Sequence, residues 1–561
     1  MSGLPHAARP TRAEVLAIAG ITATFVLLLA TWAYLDPPLR GPDEAANVDA
    51  VLHLLAGRPW PATGHLHFFQ GVLAQDVAAQ LPPVAQRGSV AALVGDGSEN
   101  ALQNPMSQHP PTFFLVQAAI ALALDAGPRR WDHVVLVMRL VDVLAMAPLP
   151  VLVWASVRRV TRSPRLAVAA ATVLLAVPQV AQLGSTVSVW VPVITAGALA
   201  TWLGLRVLTG DRSWLTVLAL GGAVAVGTAV MAGGFLAVPF AVVAVLAARH
   251  DTESAAPVSS RRGLVVRVCR ALVVLAVPAV TTGWWYARQF LRTGSPQPDP
   301  YAPVHEHWAA GEGPDVVQFV GAFWNGMSDS FLGLLGRYQW PLSPVVVDTA
   351  TVVALTALVW AATSRRVDRR TMLLVAAFPV TVLVVVVARD WASYVGHVGI
   401  TVVQGRFLFP AMAALLAMLA LAWQGLVVRH TVRVRLTRAV LLVAPLIAVG
   451  ALGLLYSGSF EGLVFRVSAA GRQALWTSLP SGRGPLVALV GLLAVVGLAT
   501  VVALWRWFGR PGADATAHAT PDETTPTAHA TSESAPTAHT TPELAPPSAP
   551  ARLPADRRPP H

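Results

Sequence analysis

The hydrophobic pattern of the chain is a series of apolar runs of about 20 residues, each long enough to cross a bilayer as an α-helix. A shorter run at 112–127 is interpreted as a re-entrant or outer-leaflet half-helix, with a true span as the second choice. The pattern predicts an all-α polytopic membrane protein with about 12–13 transmembrane helices. The predicted spans lie at about 14–34, 132–155, 166–184, 189–208, 214–231, 234–248, 265–283, 345–363, 371–389, 402–425, 437–456 and 483–505.

Composition agrees with this class and adds an orientation. The chain is 55% hydrophobic and 12% charged, with a mean hydropathy of +0.58, which excludes a soluble fold. All 40 basic residues are arginines, in a composition typical of GC-rich bacterial genomes. They cluster in short loops, such as Arg365 to Arg370, where they mark the cytoplasmic side. The net charge of +11 therefore gives no argument for nucleic acid. The single cysteine, Cys269, excludes an intramolecular disulfide.

These rules predict three regions in a multi-pass protein of the cytoplasmic membrane. Residues 1–14 form a cytoplasmic N-terminus, and residues 15–510 form the transmembrane domain, surrounded by membrane lipids. Two large outer loops lie at about 36–111 and 284–344. Residues 511–561 repeat Thr, Ala, Pro and His, and they predict a disordered cytoplasmic tail because they offer too little apolar surface to bury.

Two adjacent carboxylates, Asp43 and Glu44, stand where the first span meets the outer side. Ionisable groups at a bilayer edge are costly unless they are solvated, paired or used, so both are catalytic candidates. The structural alternative is that Asp43 caps the following helix. The apolar stripe of residues 43–56 is short and one-sided, which predicts an amphipathic segment lying in the membrane interface.

Other polar and aromatic residues fall at the same predicted outer face, although they come from distant parts of the sequence. A polytopic chain with this arrangement favours a reaction at that face. The further outer residues are His109, Trp190, Trp284, Trp285, Arg288, Asp299, Glu306, Arg389, Asp390, Gln404 and Arg406.

A metal is not supported: His65-x-His67 lacks a carboxylate partner at a fixed spacing, and we expect no cofactor.

Several stretches together resemble a known bacterial membrane family, the domain of unknown function 2142. The most specific is Gln404-Gly405-Arg406-Phe407-Leu408-Phe409-Pro410. The others are Pro42-Asp43-Glu44, Asn104-x4-His109-Pro110-Pro111, Arg139-Leu140 and Trp284-Trp285-Tyr286-x-Arg288-x5-Gly294-x-Pro296. The resemblance covers about residues 15 to 505, and that family is similar to the GT-C glycosyltransferases, which use polyprenyl-phosphate sugars.

The resemblance implies a GT-C-like bundle and a set of roles. Asp43 or Glu44 would act on the acceptor hydroxyl, and Arg406, with Arg288 as second candidate, would meet the lipid phosphate. His109, Gln404, Trp284 and Trp285 would contact substrate. The implied partners are a polyprenyl-phosphate-linked sugar and a cell-envelope glycan, lipid or protein acceptor. One departure is the turn at 184–190, which lacks the carboxylate common in such proteins and so puts metal dependence and activity in question.

The residue types fit this chemistry without the resemblance. Glycosyl transfer from a lipid phosphate needs a base for the incoming hydroxyl and a cation for the departing phosphate. Arginine suits phosphate because its planar fork contacts two oxygens and stays charged. Two alternatives remain open: a transporter or lipid-handling protein without catalysis, and a structural membrane protein in which Asp43 and Glu44 are dispensable.

Overall fold

The computed structural model describes residues 9–78, 80–211, 213–248, 260–298, 306–398 and 403–509. It confirms the predicted all-α polytopic class. The predicted tail and Asp299 lie outside the described residues. Within the described ranges, nine helices are long and apolar enough to cross a membrane: Arg12–Leu35, Trp131–Thr161, Trp190–Leu208, Gly263–Thr293, Pro344–Thr363, Arg369–Gly396, Gly405–Leu426, Thr431–Phe460 and Arg483–Phe508.

Shorter apolar helices occupy the remaining predicted positions. The half-helix is Thr112–Ala123, and its 12 residues extend only about 18 Å, less than the hydrocarbon core of a bilayer. The other three are Pro164–Ala176, Trp214–Val230 and Ala232–Ala247.

The predicted span at 166–184 is broken. Helix Pro164–Val173 runs into a 3₁₀ turn, and a separate helix starts at Pro178. The cause is Pro178, because proline pushes the preceding residue out of the helical region, and Val177 has φ −116° and ψ 80°.

The remaining elements are short or lie between the spans. Strands His67–Phe69 and Glu99–Gln103 pair antiparallel, and Trp340–Pro341 is a third strand. Short 3₁₀ segments are Val84–Gln86, Pro105–Gln108, Leu174–Ala176, Ala232–Ala237 and Gly405–Ala411. The other helices are Glu44–Leu55, Gln70–Val77, Val90–Val94, Pro178–Leu183, Val316–Leu332, Leu335–Tyr338 and Ala469–Ser478.

Helix Glu44–Leu55 corrects the prediction of an interfacial segment, because it is buried on both faces. Its polar residues find partners inside the protein. Asp49 accepts hydrogen bonds from the Phe69 N–H at 2.9 Å and from Asn104 Nδ2 at 2.8 Å. The helix therefore belongs to the core that supports the first long loop, since buried polar groups are tolerated when they are hydrogen-bonded.

The second long loop begins later than predicted. Helix Gly263–Thr293 continues past residue 284 through a π-helical turn at Ala279–Gly283. Trp284, Trp285 and Arg288 consequently lie on the last turns of a helix and not in a loop. Gly294, with φ 74°, ends that helix in the left-handed conformation that glycine adopts most readily.

Candidate active site

Asp43 occupies a strained turn between the first spanning helix and helix Glu44–Leu55. Its φ of 55° is left-handed, and its side chain makes no capping hydrogen bond, so the capping interpretation is wrong. The carboxylate instead accepts a hydrogen bond from Arg406, with 2.6 Å between Oδ2 and Nη1. The Asp43 side chain is 41% exposed. The carboxylate therefore combines access from solvent with a fixed cation.

Arg406 is buried between two aromatic rings. Its guanidinium carbon lies 5.3 Å from the ring centroid of Trp190 and 5.4 Å from that of Tyr338. Tyr338 Oη is also 3.5 Å from Gln404 Oε1, at the limit of a hydrogen bond. Arg406 Nε is buried with no hydrogen-bond partner among the described residues. Aromatic faces orient a guanidinium, so the two rings fix the direction in which Nη1 donates to Asp43.

The segment that carries Arg406 is fixed by a close backbone approach at Gly405. The Gly405 N–H donates to Ser330 Oγ at 2.7 Å. A Cβ on Gly405 would lie 2.4 Å from the backbone N and Cα of Phe331. Glycine is needed here because any side chain would collide with the main chain of the neighbouring helix.

We therefore expect Gly405→Ala to destabilise the protein by about 1–3 kcal/mol, the usual cost of overpacking, and to displace Arg406. The measurement is thermal unfolding in nanodiscs. Gly450→Ala is the control, because a Cβ there meets nothing within 4 Å. Equal unfolding temperatures for the two variants would contradict the close approach.

Glu44 points away from Asp43 into the protein. Arg139 holds it with two contacts of 2.6 Å, from Nε to Oε1 and from Nη2 to Oε2. The Val187 N–H donates to Glu44 Oε1 at 3.1 Å, and the Glu44 side chain is 0% exposed. Arg139 also donates to the carbonyl of Ala33 at 2.8 Å. Of the two adjacent carboxylates, only Asp43 is accessible to a substrate.

The turn at 184–190, which lacks a carboxylate of its own, is held by carboxylates from other helices. Besides the Val187 bond to Glu44, the Ser188 N–H donates to Asp142 Oδ2 at 2.9 Å. Gln117 Nε2 donates to the other oxygen of Asp142 at 3.0 Å. This anchoring places Trp190 against Arg406. Among the described residues, no group of three or more His, Cys, Asp or Glu side chains is placed to hold a metal ion.

His109 lies near enough to the Asp43–Arg406 pair for both charges to act on its ring. Its ring is buried, and Nδ1 has no hydrogen-bond partner in the described part of the chain. Burial lowers the pKa of His109 to about 4, with smaller effects from Asp43, Arg406 and Arg389. Asn104 positions the segment before it by donating to Asp49 Oδ2 at 2.8 Å and to the Ala46 carbonyl at 2.9 Å. The ring is therefore neutral at pH 7 and offers a hydrogen bond rather than a charge.

This pKa predicts a loss of stability in acid. The folded-state pKa is about 4, below the ordinary value of 6.5, so the unfolded chain binds the additional proton between these values. The stability that the neutral His109 ring contributes is complete above pH 6.5 and is lost as the pH falls towards 4. The free energy of unfolding decreases by about 3 kcal/mol over this range. The unfolding temperature of wild type minus that of His109→Gln should decrease from pH 7.5 to pH 4.5. A difference that does not vary with pH would contradict a buried neutral ring.

The structure does not bring every predicted residue to this cluster. Arg288 is exposed, and no hydrogen bond or ion pair links it to Asp43 or Arg406 among the described residues. Trp284 is 59% exposed and donates to the Thr281 carbonyl at 3.1 Å, while its ring centroid lies 6.0 Å from that of Trp285. Arg389, which the sequence placed only among the outer polar residues, is the second cation whose charge acts on His109.

Comparison with known proteins finds similarity in one part of the sequence. Residues 108–280 match the family model of the dolichyl-phosphate-mannose-protein mannosyltransferases. The matched segment contains His109, Arg139, Asp142 and Trp190. No curated protein sequence matches the chain.

Solved structures with a similar chain trace include two of ArnT from Cupriavidus metallidurans. The apo state has 17% identity and a TM-score of 0.45, covering 88% of this chain and 74% of that chain. The form bound to undecaprenyl phosphate has 16% identity and a TM-score of 0.43, covering 88% and 75%. The oligosaccharyltransferase AglB from Archaeoglobus fulgidus, with an inhibitory peptide and a dolichol-phosphate, has 12% identity and a TM-score of 0.35, covering 90% of this chain and 56% of that chain.

Proposed function

We propose that this protein is a membrane glycosyltransferase that moves a sugar from a polyprenyl-phosphate donor to a cell-envelope acceptor. The observation that carries the proposal is the Asp43–Arg406 pair, in which an accessible carboxylate meets an oriented guanidinium from a segment 363 residues away. The matched family model supports the donor class, because its name specifies a mannose carried on dolichyl phosphate. The combination of a base and a phosphate-binding cation where candidate membrane helices end suits a lipid-linked donor.

In the proposed reaction, Asp43 and Arg406 have different roles. The Asp43 carboxylate takes the proton of the acceptor hydroxyl while that oxygen forms a bond to the anomeric carbon. The bond from that carbon to the phosphate oxygen breaks, and polyprenyl phosphate leaves with the electron pair. Arg406 stabilises the negative charge on the leaving phosphate, for which its planar fork is suited.

Other residues take supporting roles in this proposal. Neutral His109, on which the charges of Asp43 and Arg406 act, and Gln404, which contacts Tyr338, are assigned to orient substrate. Trp190 and Tyr338 keep Arg406 in place. Glu44 is assigned to structure rather than catalysis. Roles for Arg288, Trp284 and Trp285 stay predictions. These side chains would contact a donor that extends along helix Gly263–Thr293. Membership of the family of domain of unknown function 2142 is likewise a prediction.

The proposal places the reaction at the outer face of the cytoplasmic membrane. The distribution of arginine supports this, because the loop at Arg365 to Arg370 is typical of a cytoplasmic loop. Both termini are then cytoplasmic. The acceptor is a glycan, lipid or protein of the envelope.

Arg406 variants test the phosphate role. Arg406→Ala should weaken donor binding by about 10- to 100-fold, because a charged hydrogen bond contributes about 1.5–3 kcal/mol, and should lower turnover as well. Arg406→Lys should restore only part of both, since an ammonium lacks the two-pronged contact. The measurements are binding of a polyprenyl-phosphate sugar and its turnover by purified variants in nanodiscs.

Arg58→Ala is the matched control for this test. Arg58 also pairs with a carboxylate in the first long loop, Glu99, but both side chains are partly exposed. Its loss should leave donor binding unchanged. Donor binding by Arg406→Ala that equals wild type would remove Arg406 from the phosphate site.

A further inference from the structure

A second feature of this end of the protein is a cleft of 440 Å³ that the proposed reaction does not use. We call it the Trp340 cleft. Its volume falls in the range of small-molecule sites, which is about 300–1,000 Å³. Its lining combines an indole, two guanidiniums, amides and hydroxyls. The lining residues that give it this chemistry are Arg40, Arg337, Gln339, Trp340, Ser459 and Thr477.

Trp340 is held against the cleft wall by two glycines. A Cβ on Gly458 would lie 2.5 Å from the indole, and one on Gly336 would lie 2.9 Å from it. These glycines belong to separate segments, so the ring is fixed from two sides. An indole that is half-buried and fixed in this way presents a rigid apolar surface at little entropic cost on binding.

The cleft also carries two arginines close to one another. Arg40 Nη1 donates to the Asp76 carbonyl at 2.6 Å, and Arg337 Nη2 donates to the Leu39 carbonyl at 2.9 Å and pairs with the Asp76 carboxylate. Burial and, next, the charge of Arg337 lower the pKa of Arg40. Two guanidiniums face the carboxylate of Asp76. Asp36 also acts on both arginines, but burial raises the pKa of Asp36 to about 7, so this group is only partly ionised at neutral pH. The cluster keeps an excess of positive charge, which favours an anionic ligand.

We propose that the Trp340 cleft binds a saccharide that carries a carboxylate or a phosphate group. The indole face suits the apolar face of a sugar ring, and the side chains of Gln339, Ser459 and Thr477 suit its hydroxyls. Arg40 and Arg337 suit the anionic group, because guanidinium contacts carboxylate and phosphate in the same bidentate way. A hydrophobic ligand or a bare anion would use only part of this lining.

The cleft shares two segments with the candidate active site. Arg337 precedes Tyr338, whose ring lies 5.4 Å from the Arg406 guanidinium carbon. Leu39, whose carbonyl Arg337 contacts, lies in the turn that leads to Asp43. The two sites are therefore linked through the chain, and we assign a saccharide in the cleft as acceptor; this assignment rests on the proposed function, whereas the binding itself does not.

Saturation-transfer NMR on the full chain in nanodiscs, without donor, tests the binding. The probes are methyl β-glucuronide, glucose 1-phosphate and the neutral methyl β-glucoside. Inorganic phosphate has no carbon-bound protons, so its binding is followed by ³¹P line broadening on the same samples. Both sugar anions should bind, and Arg337→Gln and Trp340→Leu should each weaken them by about tenfold or more. Gln339→Ala, at an exposed position, should weaken the binding of both sugar anions with little risk to folding. Arg466→Gln is the charge-matched control, because this exposed arginine pairs with Glu461 and does not line the cleft.

Each result decides between the alternatives. Equal binding of inorganic phosphate and sugar phosphate, unaffected by Trp340→Leu and Gln339→Ala, would show an anion site and overturn the inference. So would sugar binding that survives all three cleft variants, or no binding of any probe. Donor turnover by the wild-type protein is measured separately. If the protein transfers sugar from the donor but the cleft binds no saccharide, this inference alone is overturned. If the cleft binds saccharide but the protein does not turn over the donor, the proposed function alone is overturned.

Discussion

Asp43→Asn is expected to lower sugar transfer by about 10²- to 10⁴-fold, the usual contribution of a general base. Asparagine keeps the size of the side chain and removes the group that accepts the proton. Donor binding should stay close to wild type, because the base acts on the acceptor in the transition state. Folding should also be retained, since the Asp43 side chain is 41% exposed and the amide oxygen of asparagine can still accept the hydrogen bond from Arg406. The measurement is turnover of a polyprenyl-phosphate sugar, with donor binding in parallel.

The control for this prediction is Asp96→Asn. Asp96 is an exposed carboxylate of the same loop that accepts a hydrogen bond from the Ser98 N–H at 2.9 Å. That variant should transfer sugar at the wild-type rate. An Asp43→Asn protein that turns over as fast as Asp96→Asn would exclude Asp43 as the base and favour the transporter or structural alternatives.

Glu44→Gln should have a different consequence, a loss of stability of about 3–5 kcal/mol. Removing one partner of a buried ion pair leaves the other charge uncompensated. Here Arg139 would keep its carbonyl contacts and one acceptor oxygen, but the amide nitrogen that replaces the second oxygen is a donor and would face another donor. Thermal or denaturant unfolding in nanodiscs measures the effect. Any fall in turnover should follow the folded fraction.

A double-mutant cycle separates this pair from general damage. The double variant Glu44→Gln, Arg139→Met should lose less stability than the sum of the losses of the two single variants. The reason is that both charges are absent from the double variant, so none is left unpaired. Glu99→Gln is the exposed control, and an exposed pair of this kind contributes about 0–1 kcal/mol. A Glu44→Gln protein with wild-type stability and no turnover would instead return Glu44 to the catalytic candidates.

The sequence predicted the spanning helices well because their signal is local. A run of apolar residues has the same meaning wherever it occurs, since a bilayer sets the required length. Errors arose where a local signal was overridden. Pro178 breaks an apolar run that is otherwise long enough to span, and the helix Gly263–Thr293 carries Trp284 and Arg288 beyond the predicted boundary.

The contacts within the site were harder to predict because they join distant positions. Glu44 and Asp43 are adjacent in sequence and look equivalent, yet the partner of Glu44 lies 95 residues away and that of Asp43 lies 363 residues away. The short, one-sided apolar stripe of helix Glu44–Leu55 suggested an interfacial segment for the same reason. Asp142 was not recognised, because a carboxylate within a span is identified only by the turn that it anchors. The Arg139-Leu140 motif pointed to Arg139, but it did not indicate that this arginine pairs with Glu44.

The most direct test of the central claim follows labelled sugar from the lipid to the acceptor. Membranes from a strain lacking the gene supply acceptor, and purified protein in nanodiscs is added with polyprenyl-phosphate mannose or with a pentose-bearing analogue. Wild type should move label from at least one donor into the acceptor fraction and release polyprenyl phosphate in equal amount, whereas Asp43→Asn should do neither. Transfer by Asp43→Asn at the wild-type rate, or no transfer by a wild-type protein that binds donor, would contradict the account.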